Sequence, residues 1–202
     1  MNSQSISFLN FHHVAGFIDG EGCFSISFRL REKMSLGIEV QPSFSIGQLK
    51  TAENYRLLSE IHKIFDGGGI RYSRRDNCYK YETRKIGHIT RNIIPFIKKY
   101  PLYSSKMKDF ILFEKICSLI EAKYHLTFMG LKQIITLAYQ MNPSGCRKMT
   151  QLVLLSRMKK KQNLISMGLA KRAKRAKRAS LASRDQSTAK ESLREEIELQ
   201  IK

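Results

Sequence analysis

Two carboxylates close an apolar run, Val14-Ala15-Gly16-Phe17-Ile18-Asp19-Gly20-Glu21-Gly22. In a helix that Gly22 stops, Asp19 and Glu21 fall at the C-terminal end, where the helix dipole disfavours negative charge. Acids in that position point to a cation beside them. Gly16 and Gly20 lie four residues apart on one helix face. They leave a stripe without side chains, along which a second helix backbone can approach closely. The same residues also fit a buried helix with solvated terminal acids. The rest of the chain has to decide between cation chemistry and plain packing.

Composition narrows the partners. The chain has 202 residues, of which 42% are hydrophobic, enough for one good core with a small appendage. Its formal net charge of +19 predicts a polyanionic partner, nucleic acid or an anionic membrane surface. The excess is not confined to the tail: residues 171–202 hold 10 basic and 5 acidic residues, which leaves 26 basic and 12 acidic in the first 170. No apolar run reaches membrane-spanning length, and Met1 to Leu9 carry no signal-peptide pattern. Cys23, Cys78, Cys117 and Cys146 lack paired spacing, and the five histidines lack a metal-ligand pattern. Zinc and a disulfide framework are therefore not expected.

The elements that must position the two acids follow from periodicity. A helix is expected from Asn10, its N-cap, to Gly20. Alternation then predicts strands at about 23–31 and 36–48. Phe24, Ile26, Phe28 and Leu30 turn one way with Ile38, Val40, Phe44 and Ile46; Ser25, Ser27, Arg29 and Arg31 turn the other with Glu39, Gln41, Ser43 and Ser45. A helix over 51–65 buries Leu57, Leu58, Ile61, Ile64 and Phe65. Gly67-Gly68-Gly69 opens a second hairpin, about 70–75 and 78–86, turning at Asp76-Asn77. Arg71, Ser73, Arg75, Lys80, Glu82 and Arg84 share one of its faces, and Ile70, Tyr72, Tyr79 and Tyr81 the other. Helices are expected at 89–100, weakened at Pro95, then at 105–123 and 128–141. This order is an α+β arrangement: one curved antiparallel four-stranded sheet with helices on one face. The opposite, polar face carries side chains of the kinds that read base edges when a β-ribbon lies in a DNA major groove.

With these elements in place, Val14 to Gly22 resembles the LAGLIDADG motif. GFIDGEGCFSISF, PSFSIGQ at 42–48, GGGIRY at 67–72, IIPFIKKYPLYSSKMKDF at 93–110 and HLTFMGLKQIITLAYQMN at 125–142 extend the likeness to LAGLIDADG homing endonucleases of organellar introns. The likeness covers roughly residues 10–148. It implies an αββαββα fold in which domains meet in pairs through their motif helices, touching at Gly16 and Gly20. One motif implies a homodimer on a near-palindromic double-stranded DNA site. A two-motif member is about twice as long, and a chain that begins this close to its motif also fits one half of such a protein.

The resemblance also assigns chemistry. Glu21, the last motif acid, would bind the metals at the scissile phosphates with help from the Gly20 carbonyl. Mg²⁺ or Mn²⁺ would neutralise charge and activate water, and carboxylates are hard oxygen ligands for such ions. Asp19 would support structure. Gln48 takes the place of a polar residue that orients water, and Lys106 that of a lysine near the active site, with Lys108 two residues away as the alternative register. A further basic position of the family falls at Ala52, and Lys50 is its nearest substitute. The reaction implied is double-strand cleavage with short 3′ overhangs, promoting intron mobility in a mitochondrion or chloroplast. The rival on the same scaffold is an RNA-binding maturase, with intron RNA as partner. Residues 1–148 would form the endonuclease domain. Residues 149–202 would form a basic extension, partly disordered and without a membrane role. In it, Thr188 and Glu191 form a capping box, and Leu193, Ile197 and Ile201 a short amphipathic helix.

Overall fold

The computed structural model describes residues 10–142, 147–173 and 175. Helix α1, Phe11–Glu21, starts where the Asn10 side chain accepts from His12 N. Strand β1, Gly22–Leu30, follows with no linker. Gly22 makes this possible. Its N–H bonds Ile18 O, and a Cβ at that position would lie 2.5 Å from the same oxygen. Only glycine lets the chain pass from helix to strand within one residue here, so Glu21 is held at the junction.

Strand β2 spans Ile38–Leu49, and Thr51 caps helix α2, Ala52–Phe65. Strands β3, Gly69–Ser73, and β4, Cys78–Thr83, complete one antiparallel sheet in the order β1-β2-β4-β3. His88 Nε2 and Asn92 Nδ2 both donate to Phe65 O at 2.8 Å, closing the end of α2. The turn that follows needs its glycines: Gly67 and Gly68 have φ of 151° and 86°, and a Cβ on Gly68 would lie 2.8 Å from Tyr81 Oη.

The next helical stretch starts at Ile86, three residues earlier than expected. It runs as α3, Ile86–His88, a π-helical turn, Ile89–Ile93, and α4, Ile94–Lys99. The stretch is helical from Ile86 to Lys99 without a break, and its π-helical irregularity falls immediately before Pro95, the residue expected to weaken it midway. Helix α5 is Lys106–Glu121, and α6 is Phe128–Ala138.

The core lies between the sheet and the helices. Phe24 and Phe44 stack with centroids 5.3 Å apart, and Phe110 and Phe113 of α5 close on Phe24 at 5.5 and 5.3 Å. A second cluster joins Leu36, Ile38, Leu131 and Ile135 to Leu154 and Met158, both fully buried. The compact unit accordingly closes at Met158, and the start of the segment expected as an extension is part of the core. Residues 151–173 are helical, here named α7. Leu, Met, Lys and Arg are strong helix formers, which offsets the repulsion of like charges in this stretch. The terminal helix expected at 188–201 lies outside the described residues. Among those described, no helix is long and apolar enough to cross a membrane.

Asn142 and Arg147 protect the outer edge of β1. Asn142 Nδ2 donates to Phe24 O at 2.8 Å and Arg147 Nη1 to Ile26 O at 3.0 Å, covering carbonyls that would otherwise template another strand. Phe44 is fully buried and in ring contact with Phe24, Phe65 and Tyr81. Phe44→Ala should lower unfolding free energy by about 3–5 kcal/mol, read from urea denaturation. A loss below about 1 kcal/mol would mean that the ring is not a core anchor.

Candidate active site and nucleic-acid interface

The two acids at the end of α1 do different things. Asp19 is tied down. Its Oδ2 accepts from the backbone N–H groups of Tyr103 and Ser104, each at 2.9 Å, and its Oδ1 accepts from Ser104 Oγ at 2.5 Å. Desolvation pushes the Asp19 carboxyl up. The hydrogen bonds from Ser104 and Tyr103 and the nearby Lys106 charge outweigh it, so the net shift is below the ordinary value. Glu21 is exposed, and among the described residues its carboxylate has no hydrogen-bond or ion-pair partner.

A cation does stand against the dipole. Lys106 Nζ donates to Ile18 O at 3.1 Å and to Gly20 O at 2.9 Å. It neutralises the last carbonyls of α1 and joins that helix to the first turn of α5. Lys106, not Lys108, therefore occupies this end of α1. Tyr103 and Ser104 were not singled out in the sequence; their pairing with Asp19 spans more than eighty residues and leaves no local signal.

Gln48 reaches the same end of the sheet. Gly22 pairs with Ile46, so Gln48 lies two residues beyond the start of β1, level with the end of α1. It follows Phe44 and Ile46 on the helix-facing side of β2 and pairs with Tyr79. Lys50 Nζ lies 4.6 Å over the Tyr72 ring. Gly16 and Gly20 are exposed, and nothing lies within 4 Å of where a Cβ would stand on either. That face of α1 is open to a partner.

The chain's own donors at this point are hard oxygens: the unpaired Glu21 carboxylate and the Gly20 carbonyl, whose second lone pair remains beside Lys106. They suit Mg²⁺-type ions but make an incomplete set. Among the described residues no three His, Cys, Asp or Glu side chains cluster to hold a metal. Water, phosphate or a second copy would have to supply the other ligands.

The face of the sheet away from the helices gathers most of the residues expected there. Ser25 pairs with Ser43, Ser27 with Gln41, Arg29 with Glu39, Ser45 with Glu82, and Arg71 with Lys80; Ser73 faces Cys78. Arg31, Arg75 and Arg84 flank the strand ends. The same alternation adds Cys23, Gly47, Leu49 and Cys78, which the polar pattern had passed over.

The cations of this face are partly neutralised in place. Arg71 and Arg84 both bond Glu82, at 3.1 and 2.9 Å, and Ser43 Oγ donates to the same carboxylate. Desolvation raises the Glu82 carboxyl, but the bonds from Arg84 and Arg71 carry the net shift below the ordinary value. Asp76 accepts from Lys80, Arg75 and Ser73, and its carboxyl is held far below the usual range. Arg31 lies 2.9 Å from Glu39. Among the described residues Arg29 has no ion-pair partner.

A family model described as LAGLIDADG endonuclease matches residues 14–117. The chain belongs to the LAGLIDADG endonuclease family. An uncharacterized protein in ND4 intron 1 of Podospora anserina is 35% identical over 125 residues, covering 62% of this chain and 27% of that protein. The chain thus spans about a quarter of that curated relative. The crystal structure of the homing endonuclease I-TnaI is similar at TM-score 0.63 and 31% identity, covering 78% of this chain and 98% of that one. The LAGLIDADG enzyme I-SmaMI, bound to an uncleaved DNA target in the presence of calcium ions, is similar at TM-score 0.65 and 33% identity. That likeness covers 69% of this chain and 47% of that one. The mixed helix and antiparallel-sheet fold expected from the motif order is therefore the LAGLIDADG fold.

The Asp19 geometry makes a pH prediction. A carboxyl depressed in the folded state contributes stability above its unfolded pKa, near 3.9, and that contribution disappears as pH falls through the lower folded value. A carboxyl-detected NMR titration should give Asp19 a value below 3.8, with the Tyr103 and Ser104 amide resonances moving at the same midpoint. Asp19→Asn should remove that midpoint. An Asp19 that titrates at or above the ordinary value would contradict the clamp.

Proposed function

We propose that this protein is a metal-dependent, site-specific DNA endonuclease of the homing type, acting as a homodimer on a near-palindromic double-stranded site. The observation that carries the reading is the contrast between the two motif acids. Asp19 is consumed by structure, while Glu21, held at the helix–strand junction by Gly22, is exposed and unpaired. An unpaired acid beside a capped helix end is free to take a cation, which supports that role for Glu21.

Each residue then has a task. Glu21 and the Gly20 carbonyl hold Mg²⁺ or Mn²⁺, which when bound neutralises phosphate charge and supplies an activated water. Lys106 places a positive charge within reach of the same phosphate and fixes the Gly20 carbonyl. Gln48, at the neighbouring end of β2, orients water. The side chains from Ser25 to Arg84 on the polar sheet face lie in the major groove, while the open Gly16–Gly20 stripe of α1 seats the second copy. An origin in an organelle is supported by the intron-encoded relative, and ND4 favours the mitochondrion over the chloroplast.

The test is a plasmid carrying the intronless allele of the host gene, incubated with the protein in Mg²⁺ or in EDTA. Linearisation at one site should need the metal, and Glu21→Gln should slow it by on the order of 10³-fold or more while leaving DNA binding within a few-fold. Full cleavage by Glu21→Gln would remove Glu21 from the reaction. An intact plasmid together with tight, specific binding of intron RNA would replace the nuclease with a maturase.

A further inference from the structure

Glu21 has a cationic counterpart across the sheet. The register that pairs Gly22 with Ile46 puts Glu21, one residue back, level with Gly47. Gly47 pairs in turn with Lys80, and Lys80 with Arg71. From the helix–strand junction, Gly47, Lys80 and Arg71 therefore follow Glu21 in one row across the polar face. Neighbouring strands lie about 4.8 Å apart, so the backbones of Glu21 and Lys80 stand about 10 Å apart. Only a glycine lies between them in that row. A Cβ on Gly47 would meet Cγ and Cε of Lys80, each at 3.6 Å, so the Lys80 stem lies over the place a Gly47 side chain would take. Cys23, two residues past Glu21, lies in the field of both Lys106 and Lys80, which brings the two ammonium groups to the same end of the sheet. The other cations nearby are committed. Lys106 is held by the carbonyls of Ile18 and Gly20, and Arg71 by Glu82. Lys50 lies over the ring of Tyr72, a residue of the opposite face. Among the described residues Lys80 Nζ has one partner, Asp76 Oδ2 at 2.6 Å. Asp76 also accepts from Arg75 and Ser73, so it stays bonded when Lys80 leaves.

We propose that Lys80 is a further catalytic residue of the cleavage reaction: its ammonium leaves Asp76 and, across Gly47, takes a non-bridging oxygen of the phosphate held at Glu21. The role rests on the nuclease reading above. Attack of water on a phosphodiester builds negative charge on the phosphoryl oxygens, and a cation placed there in advance lowers the barrier. Lys106 shares its charge with two helix carbonyls, so a second cation adds to what it supplies. Lys80 stays an ammonium throughout and transfers no proton. Its release from Asp76 is easy, because an ion pair in contact with solvent holds weakly. Gly47 follows from the same role: a bulky side chain there would stand between Lys80 and the phosphate. Lys80 thus passes from the residues that face bases to those that act on the backbone.

The experiment starts by mapping the cut phosphate with the unaltered full chain in Mg²⁺; a target left whole would take down the nuclease reading and this role together. Lys80→Met keeps the length of the side chain and removes its charge. It should slow single-turnover cleavage of saturated target by on the order of 10²-fold. Lys80→Arg should return the rate to within about tenfold of the unaltered chain, since a charge-assisted bond to phosphate is kept. In EDTA, where nothing is cut, Lys80→Met should weaken binding of the same duplex by less than about tenfold, the loss of one phosphate contact. Binding of that strength also shows an intact fold. The loss should vanish on a duplex whose cut phosphate is replaced by an uncharged methylphosphonate. Cleavage by Lys80→Met at the unaltered rate, or a binding loss that persists on the methylphosphonate duplex, would overturn the role of Lys80 and leave the nuclease itself standing.

Discussion

The end of α1 is the point on which the rest depends. Four hydrogen bonds from Ser104, Tyr103 and Lys106 to Asp19 and Gly20, with a fifth to Ile18, join the motif helix to the start of α5. Charge-assisted bonds of this kind are stronger than neutral ones and directional. They turn an unfavourable arrangement, two acids at a negative helix pole, into a fixed one. One acid is held as a carboxylate by the Tyr103 and Ser104 donors, the pole is neutralised by a lysine, and the second acid is left over. Gly22 then sets that second acid directly against the sheet. A lengthened junction would break both the Glu21 position and the register Gly22–Ile46 that brings Gln48 to the same end.

The polar sheet face obeys a related logic. It is basic, yet few of its cations are idle: Glu82 holds Arg71 and Arg84, and Asp76 holds Lys80 and Arg75. Exposed pairs of this sort contribute little to stability, commonly under about 1 kcal/mol. Their effect is to hold long side chains in one arrangement before anything binds, which would lower the entropy lost on contact with a partner. Phosphates or base edges would compete with Glu82 and Asp76 for the same donors. Specificity in such a face arises as much from which internal pairs can be released as from which contacts are gained.

Much of this was legible in the residues, for identifiable reasons. Two-residue alternation in β1 and β2 is strong because one face is packed by Phe24, Phe44 and Ile46 and the other is not. Glu21 stood out because acids at a helix end oppose a known field. The choice of Lys106 over Lys108 rested on the motif match alone, since two residues of helical register cannot be resolved without knowing where α1 ends in space. Nor were Tyr103, Ser104, Asn142 and Arg147, whose bonds join segments distant in sequence through backbone atoms that have no residue signature. The π-turn before Pro95 and the burial of Leu154 and Met158 depend likewise on tertiary packing that overrides local preference.

The central claim is that one Glu21 serves one strand in a pair of chains that meet through α1. It is tested most directly with mixed dimers. Wild-type and Glu21→Gln chains carrying different affinity tags are coexpressed, and the dimer bearing both tags is isolated and given supercoiled target plasmid with Mg²⁺. The account predicts a nicked circle as the product, with the nick always on the strand served by the wild-type chain and linear DNA only at a rate near that of Glu21→Gln alone. Efficient linearisation by the mixed dimer, or no cutting at all, would contradict the assignment of one acid to one strand.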